Sequence, residues 1–152
     1  MKIAFFRGWK YGDWRNRFIA IYTMGPYSHA ELVFSDGMWF SSSPNENGVR
    51  YKPSLPGSID YQWVFLNLPV NAEDEAKLRA WCDGEVGCGY DWREVFRFAF
   101  PWFSCDDSRW FCSEICLAGL HELGLLTQYK QEDYSPNALY KLLIDSGLKI
   151  VV

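Results

Sequence analysis

The prevailing hydrophobic period of this chain changes near Asn71, from mostly strand-like to mostly helical, and that change constrains the fold more than any other feature. Before it, apart from one helical stretch, apolar residues come in short runs bounded by turn residues; after it they recur mostly at helical spacing. Lys2 to Arg7 reads as a first strand, and Asp13 is a good N-cap for a helix over about Trp14 to Tyr22 that breaks at Gly25-Pro26. His29 to Phe34 and Met38 to Ser42 form a hairpin reversed at Ser35-Asp36-Gly37, and Gly48 to Lys52 and Tyr61 to Leu68 add two further strands. Beyond the switch, Asn71 caps a helix with Glu73, Asp74 and Glu75 in its first turn, which fades before Gly84. Further helices cover about Asp91 to Phe100, Arg109 to about Leu123 and Ser135-Pro136 through Ile144. Asp106, Asp107 and Ser108 are alternative N-caps for the second of these, and Lys149 to Val152 can return to the sheet. No repeat or linker composition divides the 152 residues, so strands followed by helices predict one α+β domain over 1–152, an antiparallel sheet packed against helices.

A composition of 49% hydrophobic and 22% charged residues suits a folded core. The net charge of -4, with no run of lysines or arginines, gives no general attraction for nucleic acid. The apolar run at the N-terminus is far too short for a signal peptide, and no stretch reaches the length of a transmembrane segment; the chain reads as cytoplasmic. Five cysteines, an odd set, fit free thiols better than a disulfide framework. Aromatic residues make up 18% of the chain, and Trp92 and Trp102 stand in one aromatic stretch that reads as core packing or as the wall of a cleft.

Cys112 falls in the opening turn of the predicted Arg109 helix, where unpaired backbone N–H groups and the positive end of the helix dipole favour a thiolate. Cys116, one turn deeper on the same face, reads as packing beneath it. Of the two histidines, His121 follows Cys112 by nine residues and lies on the opposite side of that helix, which leaves His29, at the start of a strand, as the base. A third group should accept the other imidazole N–H. Glu31, two residues along and so on the same strand face, Ser41 from the partner strand, and a loop carbonyl are the alternatives. Tyr27, Ser28, Trp110 and Ser113 flank the two principal residues and are the expected substrate contacts. The cysteine spacings do not match zinc knuckles, and no GxSxG elbow, phosphate-binding glycine loop or HExxH helix occurs, so neither metal nor cofactor is expected.

Ser28-His29 entering a strand, Gly48-Val49 after the hairpin, Gly89-Tyr90-Asp91 before a helix, and Phe111-Cys112-Ser113-Glu114 opening another follow one another in a spacing that resembles the circularly permuted papain-like cysteine hydrolases of the NlpC type. Ser135-Pro136 before an amphipathic helix fits the same pattern, so the likeness spans about Gly25 to Leu143. The resemblance implies a permuted papain-like domain in which Cys112 is the nucleophile, His29 the general base and the Cys112 backbone N–H an oxyanion donor. The chain departs from the family at Ser41, twelve positions after His29, where the family usually carries a His, Glu, Asn or Gln. The expected function is therefore an amidase, peptidase or acyl-ester hydrolase acting on a peptide, a peptidoglycan fragment or an acyl lipid through a thioester. The alternative is a non-catalytic binding or inhibitory module that holds a protein partner on an aromatic surface, with Trp92, Trp102 and Trp110 in the leading roles.

Overall fold

The computed structural model of the chain describes residues 1–53, 60–91 and 109–151. Trp92, Trp102, Cys105, the candidate caps Asp106 to Ser108 and all but the first residue of the helix predicted from Asp91 lie outside them.

The alternating half of the sequence folds into β1 (Lys2–Phe6), β2 (His29–Val33), β3 (Met38–Ser43), β4 (Gly48–Pro53) and β5 (Trp63–Asn67), with β8 (Ile150–Val151) added from the C-terminal region. They form one sheet in the order β4-β3-β2-β1-β5-β8, with every neighbouring pair antiparallel. Gly37 supplies the turn between β2 and β3 with a φ of 85°, a conformation a side chain would strain. Strand alternation gives the sheet two different faces. One carries Ile3, Phe5, Ala30, Leu32, Phe40 and Leu66 into the core. The other carries His29 and Glu31 from β2, Trp39 from β3, and Arg50 and Lys52 from β4.

The core face is covered by α3 (Ala72–Glu85), α4 (Cys112–Glu122) and α5 (Pro136–Asp145), which contribute Leu78, Leu117, Leu120, Leu139 and Leu143. Asn71 and Ser135 cap α3 and α5 by accepting the amide N–H groups of Asp74 and Ala138. α3 runs through Gly84 to Glu85 instead of ending before it; Gly84 faces open space, so nothing in its surroundings interrupts the turn.

Several short elements were not expected. Residues Gly8–Tyr11 form a single turn, α1, ahead of α2 (Trp14–Tyr22), which Asp13 caps by accepting the Asn16 amide N–H. Gly8 is needed there because a Cβ would fall 1.9 Å from the Ser28 hydroxyl oxygen. Arg109–Trp110 is a strand, β7, paired in parallel with β6 (Gly89–Tyr90), so the following helix starts three residues later than its sequence suggests. Its N-cap is Phe111 in place of Asp106, Asp107 or Ser108, and the Glu114 carboxylate reaches back to accept the Phe111 amide N–H at 3.1 Å, as the third helical residue of a capping box does.

Candidate active site

The later start of α4 moves Cys112 to the first helical position, with its sulfur at the positive end of the helix. α4 packs against β2 and β3, and this brings Cys112 to the beginning of β2, where His29 stands paired with Phe6 of β1. The segment leading into His29 is fixed by Asn137 of α5, whose side chain accepts the Tyr27 N–H at 2.9 Å and donates to the Tyr27 carbonyl at 2.7 Å. Ser28 is tied to α2 by donating its hydroxyl to the Asn16 side-chain oxygen at 2.6 Å. Two anchors therefore hold the chain on the N-terminal side of the imidazole.

His29 Nε2 lies 3.0 Å from Glu31 Oε1, which leaves the other ring nitrogen for Cys112. The His29 side chain is 16% exposed and that of Glu31 is fully buried. Burial works against the charged imidazole. The charge of the Cys112 sulfur, a hydrogen bond to it, and the bond and charge of Glu31 outweigh that penalty and raise the His29 pKa to about 9. Burial likewise opposes ionisation of Glu31, but the bond from His29 and the charges of His29, Arg50 and Lys52 bring its pKa down to about 2. At neutral pH the arrangement favours an imidazolium held between a sulfur and a carboxylate.

Glu31 is braced from β4. Lys52 Nζ donates to Oε1 at 2.6 Å, while Arg50 donates to Oε1 at 3.1 Å and to Oε2 at 3.3 Å. Arg50 also pairs with Glu46 and donates to the Ser41 carbonyl at 3.2 Å. Arg50 and Lys52 were missed in the sequence. Their spacing places both on one face of β4, but only the register, Ser41 opposite Arg50 and Trp39 opposite Lys52, puts that face beside Glu31.

Of the two side chains weighed for orienting the imidazole, Glu31 meets it and Ser41 does not. The Ser41 hydroxyl donates to the Ala30 carbonyl at 2.7 Å, so the residue reaches the site only through its own carbonyl and Arg50. Three expected substrate contacts are placed elsewhere. Tyr27 packs between Phe5 and Tyr140 in the core, Trp110 donates its indole N–H to Glu85 at 2.7 Å, and Ser113 is fully buried in the first turn of α4. Only Ser28 of the four lines the cleft.

That cleft has a volume of about 310 Å³ and lies between α2, which supplies Asn16 and Ile19, and the sheet face bearing His29, Glu31 and Lys52. Comparison of the chain with protein-family models and with curated proteins finds no match to either. What the site can do follows from its own geometry.

Cys112 is fully buried and clusters with Ile19, Tyr90 and Phe111. Ile19 and Tyr90 also wall the cleft, so the sulfur packs against two of the side chains that line it. Among the described cysteines Cys82, Cys88, Cys112 and Cys116 are free thiols. Burial pushes the Cys82 thiol up to about 12 and that of Cys116 well above its ordinary value, and burial with the Glu85 charge raises Cys88. These three are thereby held in the unreactive protonated form. Trimming Ile19 to Ala is expected to speed iodoacetamide alkylation of Cys112 several-fold without changing Cys82 or Cys116, read by peptide mass mapping. Equal acceleration at all three would signal general loosening, and no acceleration at Cys112 would show that Ile19 does not cover it.

Proposed function

We propose that this protein is a cysteine hydrolase of amide or ester bonds, with the architecture of the permuted papain-like enzymes of the NlpC type. One observation carries the reading: His29 is flanked by the Cys112 sulfur on one side and the buried Glu31 carboxylate on the other. In that chemistry the Cys112 thiolate attacks the substrate carbonyl carbon, a C–S bond forms, and the oxygen takes up the negative charge. The Cys112 backbone N–H, which as the first of the helix has no acceptor within it, is available to donate to that oxygen. Imidazolium His29 then passes its proton to the leaving amine or alcohol as the C–N or C–O bond breaks, giving a thioester. Neutral His29 then takes a proton from water as the oxygen attacks the thioester carbonyl; the C–S bond breaks, the acid is released, and the Cys112 thiolate and imidazolium His29 are restored. Glu31 holds the imidazole in the required orientation and stabilises its charged form.

The α+β order, with His on a strand and Cys later at a helix start, supports the permuted arrangement; the order is the reverse of papain's. Peptides, peptidoglycan fragments and acyl lipids are the substrate classes compatible with this chemistry. The complete burial of Cys112, in a cluster with Ile19 and Tyr90, favours a second reading, a non-catalytic module that holds a protein partner. The experiment that separates them is exposure of the native protein to p-nitrophenyl acetate and to peptide and lipid esters, followed by intact and peptide mass analysis. An acyl adduct on Cys112 that turns over, and that Cys112→Ala lacks, is expected; turnover unaffected by Cys112→Ala, or no adduct with any ester, would sink the enzyme reading.

A further inference from the structure

Six of the nine large apolar side chains exposed among the described residues lie within one segment, Trp9 to Met24. Trp9 is 56% exposed, Trp14 73% and Met24 92%, and Phe18, Ile21 and Tyr22 join them. On α2, steps of about 100° per residue place Trp14, Phe18, Ile21 and Tyr22 on one outward stripe. Ile19 and Ala20, on the other side of the helix, are buried against the protein. The outward face of α2 is therefore its more apolar one, the reverse of what water alone would favour.

The charge around that stripe bears on what covers it. By the same rotation Arg15 and Arg17 flank the stripe on opposite sides, and Lys10 lies beyond it on α1. All three are exposed, and none makes an ion pair with another described residue. Between Trp9 and Met24 the chain carries these three cations against Asp13 alone, although the whole protein has a net charge of -4. A cationic fringe round a patch of Trp, Phe, Tyr and Met matches the boundary of an anionic bilayer. There the Trp and Tyr rings settle at headgroup level, the Phe, Ile and Met side chains reach the acyl chains, and the arginines extend to lipid phosphates. A protein groove would also accept the apolar stripe, but it would not call for cations on both flanks of it.

We propose that α1 and α2 form a docking surface for anionic membranes. The same helix walls the catalytic cleft with Asn16 and Ile19, so a docked molecule holds the cleft's rim against the headgroup layer. The surface itself does not depend on the reaction proposed for Cys112.

The test is co-sedimentation of the whole protein with phosphatidylcholine vesicles, with and without phosphatidylserine. The wild type should partition onto the phosphatidylserine vesicles at least about ten-fold better than onto neutral ones, and the preference should weaken with salt. Trp14→Ser with Phe18→Ser should lose binding to both kinds of vesicle. Lys10→Glu with Arg17→Glu should lose the preference for the anionic ones. Both double variants change exposed side chains only, and thermal melts matching wild type establish that they are folded. Absence of binding to either vesicle, or binding that both variants retain, would overturn the proposal. So would a dimer, measured by light scattering without lipid, that dissociates in Trp14→Ser with Phe18→Ser, because it would assign the face to a second copy of this chain.

Discussion

Glu31→Gln is expected to lower the unfolding free energy by about 3–5 kcal/mol near pH 6, because it leaves Arg50 and Lys52 without the buried carboxylate that pairs with both. The substitution keeps the shape of the side chain, so the loss reports charge and hydrogen bonding instead of a cavity. Its pH dependence is equally specific. With its pKa brought down from about 4.5 to about 2, Glu31 contributes stability that is fully present above the unfolded value and disappears as pH falls toward 2. His29, raised from 6.5 to about 9, contributes stability that is fully present below pH 6.5 and disappears as pH rises toward 9. Wild type should therefore be most stable between about pH 4.5 and 6.5 as far as these two groups are concerned. In Glu31→Gln the acid limb due to this group vanishes, and the alkaline limb shrinks because one of the causes raising His29 is gone. Urea denaturation across this pH range reads both. A variant as stable as wild type at pH 6, with an unchanged acid limb, would show that the carboxylate is not the anchor of the cluster.

The largest expected effects on turnover come from Cys112→Ala and His29→Ala, each reducing ester or amide hydrolysis by about four to six orders of magnitude. In the proposed mechanism, removing Cys112 leaves His29 no sulfur to pair with, and removing His29 leaves the sulfur without its proton partner, so the two losses should not multiply. The double variant is expected to be no slower than either single one, a sign that the groups act as a unit. Multiplicative losses would show independent roles, and a single variant retaining the wild-type rate would remove that residue from the mechanism.

The parts of this fold that were legible in the sequence are those set by local chemistry. Asp13, Asn71 and Ser135 mark helix starts that the structure keeps, because each short polar side chain accepts an N–H that the helix cannot satisfy. The Asp36-Gly37 reversal fixed the β2–β3 hairpin, and the two-residue spacing of His29 and Glu31 placed both on one face. What escaped depends on contacts between distant segments. The start of α4 moved because Arg109–Trp110 pairs with Gly89–Tyr90, a parallel match that no local pattern announces. Tyr27 and Trp110, beside the principal residues in sequence, turn away from the cleft to partners in α5 and α3. Arg50 and Lys52 became visible only once the β3–β4 register was known.

The most direct test of the site follows the imidazole C–H resonances of the two histidines, assigned with His121→Gln, through a pH titration of wild type and of Cys112→Ala. His29 in the wild type should titrate near 9 and should fall substantially when the Cys112 sulfur is removed, since that sulfur supplies the largest influence raising it. A wild-type His29 that titrates near 6.5, the ordinary histidine value, and does not respond to Cys112→Ala would show that the two side chains are not paired and would contradict the proposed nucleophile and base.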